Sequence, residues 1–580
     1  MHTYLKYIAI VSIVLASFSC KKVLEPTPEN LIAPENFFKA LPDLEATVIG
    51  AYDWIQGFDG LNPAGNVHSG AYIVLRGEIN SDMYLQGPNT TFQNHLNGNT
   101  NQNPFASYRD NFRVLNTANN AITYGAAIKV TPAEEARKKH LLAEAKFLRA
   151  WTLFDLLRNW RNIALITKPT ENYNDVLPTK QYMYEQGVNN RASKEFEVIW
   201  QVLHDLEEAA PDLFVSYTSA GIDINTRGRA TRGAAHAMLA RVYLWRATYE
   251  NKALTADSVN FCYRQVLQWA DSVDNPAKKV LYDLLPGDLY ANIFTSKNTK
   301  ESIWEIQYSG LTIENQSLRG IFLPQTTGLA SYGGQFSLRL NQATRFVGPF
   351  NTATGLLNNS TSATPMSWLE YQALHRDTYM DGYYKSSSDP LAPDILVKDL
   401  RKNASIGYSN FFFSPVPNTL NPDINTNSRN FWYLNKYPGT SNASGRYDSD
   451  DNIKMIRLSE VILMKAEAYN ALGDVANARI HLGRIKTRAG IPQQFWLQED
   501  AGKKPQENML ESILDERLLE FVGEGVRWYD LVRTNRIAIE MEEANLGVRV
   551  NSPVKIERLN TIPIQRDRII QYNLTQNPGH

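Results

Sequence analysis

The stretch "AEAYNALGDVANARIHLGRIKTRAG" (466–490) constrains the fold most tightly. A helix carrying Ala468 and Tyr469 runs into Gly473-Asp474, and a second helix begins with Ala476, Ala478 and Leu482. Gly ends a helix and Asp starts one. The small residues let the two helices lie close together. This is the pattern of a tetratricopeptide-like hairpin, a unit that buries its apolar face only by stacking on neighbouring units.

Other segments carry apolar residues at spacings of three and four, as helices do. In 136–160 these are Leu141, Ala145, Leu148 and Trp151. In 193–210 they are Phe196, Ile199, Leu203 and Leu206. The Ala-rich run 232–247, the run 453–474 with Leu458, Ile462, Ala466 and Tyr469, and the long run 506–533 continue the pattern. Degenerate copies of the hairpin are expected for 108–127 with 136–160 and for 193–212 with 229–249, with 257–271 as a further helix. The expected fold is mainly α, with helical repeats over about 108–271 and 453–535. Trp151, Trp200, Trp245 and Trp269 lie on these helical stripes and read as core, Trp304 reads as core in a short strand, and Trp528 reads as part of a bracing helix.

Two regions break the helical pattern, 57–107 and 285–450. Both are rich in Asn, Ser, Thr, Gly and Pro, and "ESIWEIQYS" (301–309) alternates as a short strand does. Long loops on a rigid scaffold usually carry binding function.

The start of the chain has its own logic. "YIAIVSIVLASFSC" (7–20) follows Lys6 with an apolar run too short to span a bilayer and stops at Cys20. Residues 1–19 read as an export signal, and the thiol of Cys20 as the site of lipidation. Ser19 is suitably small, whereas Phe18 is bulky and Ser17 stands where Leu is usual; an ordinary signal peptide with an incidental cysteine is the alternative. Residues 20–35, with Pro26, Pro28 and Pro34, read as an extended tether, and 36–580 as the folded body. The second of the two cysteines, Cys262, is then alone and reads as a small buried apolar residue.

Net charge is −1, and no polybasic run is present, which argues against nucleic acid. No H-E-x-x-H, G-x-S-x-G or P-loop pattern occurs. "GEGVRW" (523–528) lacks the third glycine and the preceding strand of a dinucleotide turn. No cofactor is expected. "DINTN" (423–427) and "DSDDN" (448–452) have the oxygen-rich character of calcium loops. "DINTN" lacks the glycine and the acidic residue that close such a loop, and turn formation is the simpler reading of both. Arg517, Glu520, Glu524, Arg527 and Asp530 sit among large apolar residues and read as buried ion pairs bracing helices.

Taken together, "SCKKVLEPTPEN", "AEAKFLRAWTLFDLLRNWRNIALIT" (143–167), "GRATRGAAHAMLARVYLW" (228–245), "KESIWEIQYS" (300–309), "IRLSEVILMKAEAYNALGD" (456–474), "ILDERLLEFVGEGVRWYDLVRTN" (513–535) and "TIPIQRDRIIQYNLTQNPGH" (561–580) resemble the SusD/RagB family of outer-membrane lipoproteins, with which Bacteroidetes capture nutrients. The resemblance implies a SusD-like α-α superhelix with a loop-rich excursion containing short strands. It also implies a lipid anchor facing the cell exterior, no catalysis, and a SusC-like TonB-dependent transporter as partner. The usual ligand is an oligosaccharide or polysaccharide. Peptide capture, or a transporter lid with little ligand affinity, are the alternatives.

A sugar offers a C–H face to an aromatic ring and hydroxyls to Asn, Asp, Gln or Arg. The candidates in the loop-rich regions are therefore Arg76, Asp82, Tyr84, Asn89, Tyr308, Tyr332, Trp368 and Trp432.

Overall fold

The computed structural model describes residues 34–57, 69–86, 108–161, 163–170, 195–215, 228–250, 253–275, 281–308, 449–497, 502–543 and 561–562, with shorter segments between 318 and 438. Candidates Asn89, Tyr332 and Trp368, Cys20, the tether to residue 33, and "DINTN" lie outside the described residues.

The long helices are α1 (Leu41–Gln56), α2 (Ser69–Ile79), α3 (Tyr108–Ala127), α4 (Glu135–Trp160), α5 (Glu195–Ala209), α6 (Arg232–Tyr249), α7 (Ala256–Asp271), α8 (Leu458–Ala471), α9 (Val475–Arg488) and α10 (Pro505–Phe521), followed by the short α11 (Arg527–Arg533). Each packs on its neighbour in the chain, α3 on α4, α4 on α5, α6 on α7 and α8 on α9. Helix α7 then meets α8, so the late hairpin continues the early stack although nearly two hundred residues separate them. The expected pairing of 193–212 with 229–249 is present, but α6 packs more extensively on α7 than on α5.

The α8–α9 hairpin forms as its residues dictate. Gly473 takes φ +87°, a left-handed conformation that glycine adopts without steric cost. The Asp474 carboxylate accepts from the Asn477 amide at 3.0 Å and caps α9. Across the pair, His481 stacks on Tyr469 with ring centroids 5.4 Å apart.

The core is continuous through the helices. Trp304 lies at its centre, edge-on to Phe147 and Trp151, with its indole N–H donating to the Gly228 carbonyl at 3.1 Å. Cys262 is buried. Trp200 is the exception to the core reading: it is 62% exposed and stacks on His204. Helix α5 buries Val198, Ile199, Val202, Leu203 and Leu206, which turns Phe196 and Trp200 toward solvent. Among the described residues, no helix is long and apolar enough to cross a membrane.

The strands form small antiparallel sheets. β2 (Ser302–Ile306) pairs with β6 (Ile453–Arg457), and β6 delivers the chain into α8. A four-stranded sheet has the order β1 (Tyr84–Gln86), β3 (Phe336–Leu338), β5 (Phe431–Leu434) and β4 (Ile406–Ser409).

Candidate ligand-binding surface and the charged brace

The sheet joins the two loop-rich regions. Tyr84 pairs with Leu338, Leu338 with Trp432, and Trp432 with Tyr408. Four residues from distant parts of the sequence thus occupy one register row. Candidates Tyr84 and Trp432 are two of them.

Three other candidates lie inside the protein, which corrects the expectation that they face ligand. Arg76 donates to Asp155 at 2.8 Å and is 3% exposed. Asp82 is fully buried and accepts two hydrogen bonds from Arg527, each at 3.0 Å. Tyr308 is 2% exposed, its amide donating to Asn452 and its hydroxyl to the Gln56 carbonyl. Burial pushes the Tyr308 hydroxyl pKa well up. A sugar would have to displace core packing to touch any of the three. Arg76 and Asp82 belong to the scaffold because α2 and the turn after it, which read as loop in the sequence, pack on α4 and α11; Tyr308 does so because the chain leaving β2 packs on the end of α1.

The helices and the paired strands β2 and β6 share a buried charge cluster, the expected brace, larger than its sequence indicates. Arg457 donates to Glu301 at 2.6 Å, Glu520 at 2.9 Å and Glu524 at 2.7 Å. Arg401 binds Asp399, Glu516 and Glu520, Arg488 binds Glu301 and Glu520, Lys486 reaches Glu516, and Lys436 reaches Glu524. Five cations thus meet five carboxylates, so the cluster is electrically balanced, as buried ions need to be. Burial alone would raise the Glu520 pKa, but Arg488, Arg457, Arg401 and Lys436 outweigh it and hold the carboxyl far below its usual range. Lys436 goes the other way: burial lowers its pKa to about 8 despite Glu524 and Glu520. The cluster fastens the segment after β5, the end of β6, α9 and α10 together. Sequence reading found Glu520 and Glu524 but missed Arg401, Lys436, Arg457 and Arg488. The one local signal was a basic residue at each end of the apolar pair Met455-Ile456 in β6.

"GEGVRW" is a turn between α10 and α11. Gly523 and Gly525 have φ +78° and +75°. The Gly525 amide donates to Glu78 at 2.6 Å, and a Cβ on Gly77 would fall 1.9 Å from the Gly525 carbonyl oxygen. The glycines serve close packing. In "DSDDN", Asn452 donates to Glu305 and Gln307, and Asp450 pairs with Lys297. Among the described residues, no three His, Cys, Asp or Glu side chains are grouped to hold a metal.

Comparison with known proteins places these features in context. Residues 300–579 match the model described as "SusD family", and residues 72–244 match one described as "Starch-binding associating with outer membrane". SusD-like protein P38 of Formosa agariphila is 26% identical over 92% of this chain and 93% of its own length. SusD-like protein P25 of the same organism is 24% identical over 96% of this chain and 97% of its own. A solved structure titled "Laminarin binding SusD-like protein" superposes with TM-score 0.60 at 21% identity, covering 94% of this chain and all of the other. Surface glycan-binding protein A from Bacteroides thetaiotaomicron, in complex with laminarihexaose, gives TM-score 0.59 at 19% identity over 93% of this chain and 99% of the other.

Proposed function

This chain belongs to the SusD family, and from that premise we propose that it captures oligosaccharide or polysaccharide at the outer surface of an outer membrane and delivers it to a SusC-like TonB-dependent transporter. SusD-family glycan-binding proteins are not catalysts, and the chain is not an enzyme. Cys20 carries the lipid, residues 1–19 are removed, and residues 20–35 give the body reach from the membrane. One acyl chain contributes roughly 0.8 kcal/mol per buried CH₂.

The register row through Tyr84, Leu338, Trp432 and Tyr408 carries the reading of the site. Residues opposite one another on adjacent strands share a face at about 5 Å spacing. Tyr84, Trp432 and Tyr408 bring three aromatic residues to this row, the residue type that stacks on a sugar ring. Asn89, Tyr332 and Trp368 are proposed as further ligand contacts. The solved relative in complex with laminarihexaose supports glycan as the ligand class.

Affinity gel electrophoresis against a polysaccharide panel tests this, with peptide digests titrated in parallel by calorimetry. Retardation by one glycan is the expected result. Heat from peptides with no glycan retardation would replace the reading with peptide capture. Silence in both would leave a transporter lid.

A further inference from the structure

Three helix ends meet among the early helices. Arg161 follows the last residue of α4, Glu195 is the first residue of α5, and Glu250 caps the C-terminus of α6. Helix α5 packs on both α4 and α6. Two cations, Arg161 and Arg246, act here on two carboxylates, Glu195 and Glu250.

Glu250 is badly placed for a charged carboxylate. It sits at the negative end of the α6 dipole. Its Oε1 is buried with no hydrogen-bond donor, and its Oε2 lies 3.6 Å from the Arg246 Nε, too far for a hydrogen bond. Arg161 does not make up the deficit. Its φ of +55° is one that residues other than glycine seldom adopt, and its guanidinium lies over the rings of Tyr249 and Trp245, 4.1 and 4.8 Å from their centroids. All three of its side-chain nitrogens are buried, and none reaches a carboxylate. Glu195 adds a second negative charge nearby.

An ionised carboxylate in such a place is costly, and a proton removes the cost. Burial, opposed by Arg246 and Arg161 and helped by Glu195, raises the Glu250 pKa to about 7. Burial also raises the Glu195 pKa, against Arg161. Tyr249 and, from α7, the Cys262 thiol are pushed up by burial as well and stay neutral near pH 7. The charged groups of the other elements packed on α6 are paired with other partners: Glu460 of α8 with Arg241, Arg533 of α11 with Glu467, and Glu305 of β2 with Lys454.

We propose that this meeting point of α4, α5 and α6 is a proton-operated joint, which holds the start of α5 against the end of α6 while Glu250 is protonated and loosens when Glu250 ionises. Between about pH 4.5 and 7 the folded joint keeps this proton and the unfolded chain does not, so the joint is stabilised there and weakens as pH rises through 7. The exposed Phe196 and Trp200 stand in the first two turns of α5, so the joint sets how firmly they are held. None of its residues belongs to the brace or to the strands of the sheet, and it stands whether or not the sheet binds glycan.

The test is hydrogen–deuterium exchange from pH 6 to pH 8, corrected for the intrinsic exchange rate, on the unaltered protein and on Glu250→Gln. Gln keeps the shape of the protonated side chain and does not titrate. In the unaltered protein, peptides covering the start of α5 and the end of α6 should lose about tenfold in protection from pH 6 to pH 8, while those of Glu250→Gln stay constant. Glu195→Gln, which removes repulsion, should move the midpoint of the loss to lower pH, and Arg246→Met, which removes attraction, to higher pH. Equal protection at pH 6 and pH 8 in the unaltered protein would overturn the proposal, whether or not any variant folds. A tenfold loss that persists in Glu250→Gln, or midpoints that Glu195→Gln and Arg246→Met leave in place, would overturn it too.

Discussion

Replacing Arg457 by Met perturbs the brace at its most connected cation. The side chain binds Glu301, Glu520 and Glu524 at 2.6 to 2.9 Å and is 2% exposed. No carboxylate is left bare by its loss. Glu301 keeps Arg488, Glu520 keeps Arg401 and Arg488, and Glu524 keeps Lys436. The cost is therefore one uncompensated buried charge rather than three. Breaking a buried pair costs about 3–5 kcal/mol, and the retained partners put this case near 3 kcal/mol. With an unfolding entropy of about 2 cal/mol/K per residue, a body of this size should lose about 3 °C in melting temperature. Circular dichroism during thermal and urea unfolding measures it. Adding Glu520→Gln to Arg457→Met restores charge equality, so the double variant should be more stable than the sum of the single losses. A loss below about 0.5 kcal/mol for Arg457→Met, within the range of ordinary surface changes, would refute the reasoning. Strictly additive losses would do the same.

The remaining expectations are briefer. Burial, with Lys465 and Arg484 nearby and only partly offset by Asp274 and Asp271, lowers the His481 pKa to about 4. Below pH 6.5 the unfolded chain takes up this proton first, so stability should fall between pH 6.5 and 4, by about 2 kcal/mol after discounting for partial exposure. His481→Phe, which keeps a ring on Tyr469, should lack that component in urea melts across the pH range. Gly77→Ala should destabilise by about 2 kcal/mol or more, because its Cβ would meet backbone at Gly525. The comparable Gly50→Ala, with nothing within 4 Å, should be neutral or slightly stabilising by the same melt. Cys20→Ala should move the protein out of the membrane fraction, as fractionation with a lipid-labelling assay would show.

The helices were legible because their burial follows period, and period is local. Thus Leu141, Ala145 and Leu148 are all in the core. The α8–α9 turn was legible because Gly473 and Asp474 do what those residue types do anywhere. Trp200 was misread because α5 carries large apolar residues on both faces, and sequence does not say which face meets a neighbour. Arg76 and Asp82 were misread for a different reason. Their partners, Asp155 and Arg527, lie 79 and 445 residues away, so a polar run resembled an exposed loop. The row of Tyr84, Trp432 and Tyr408 depends on pairing between strands of three or four residues, and no local pattern encodes it.

The most direct test of the central claim is calorimetric titration of the retarding glycan into the unaltered protein, the double variant Tyr84→Ala/Trp432→Ala, and Trp200→Ala. Loss of a stacked ring costs roughly tenfold in affinity. The double variant should therefore bind about a hundredfold more weakly while Trp200→Ala binds as the unaltered protein does. Full affinity in the double variant, with loss on Trp200→Ala, would contradict the assignment and move the glycan to the exposed face of α5.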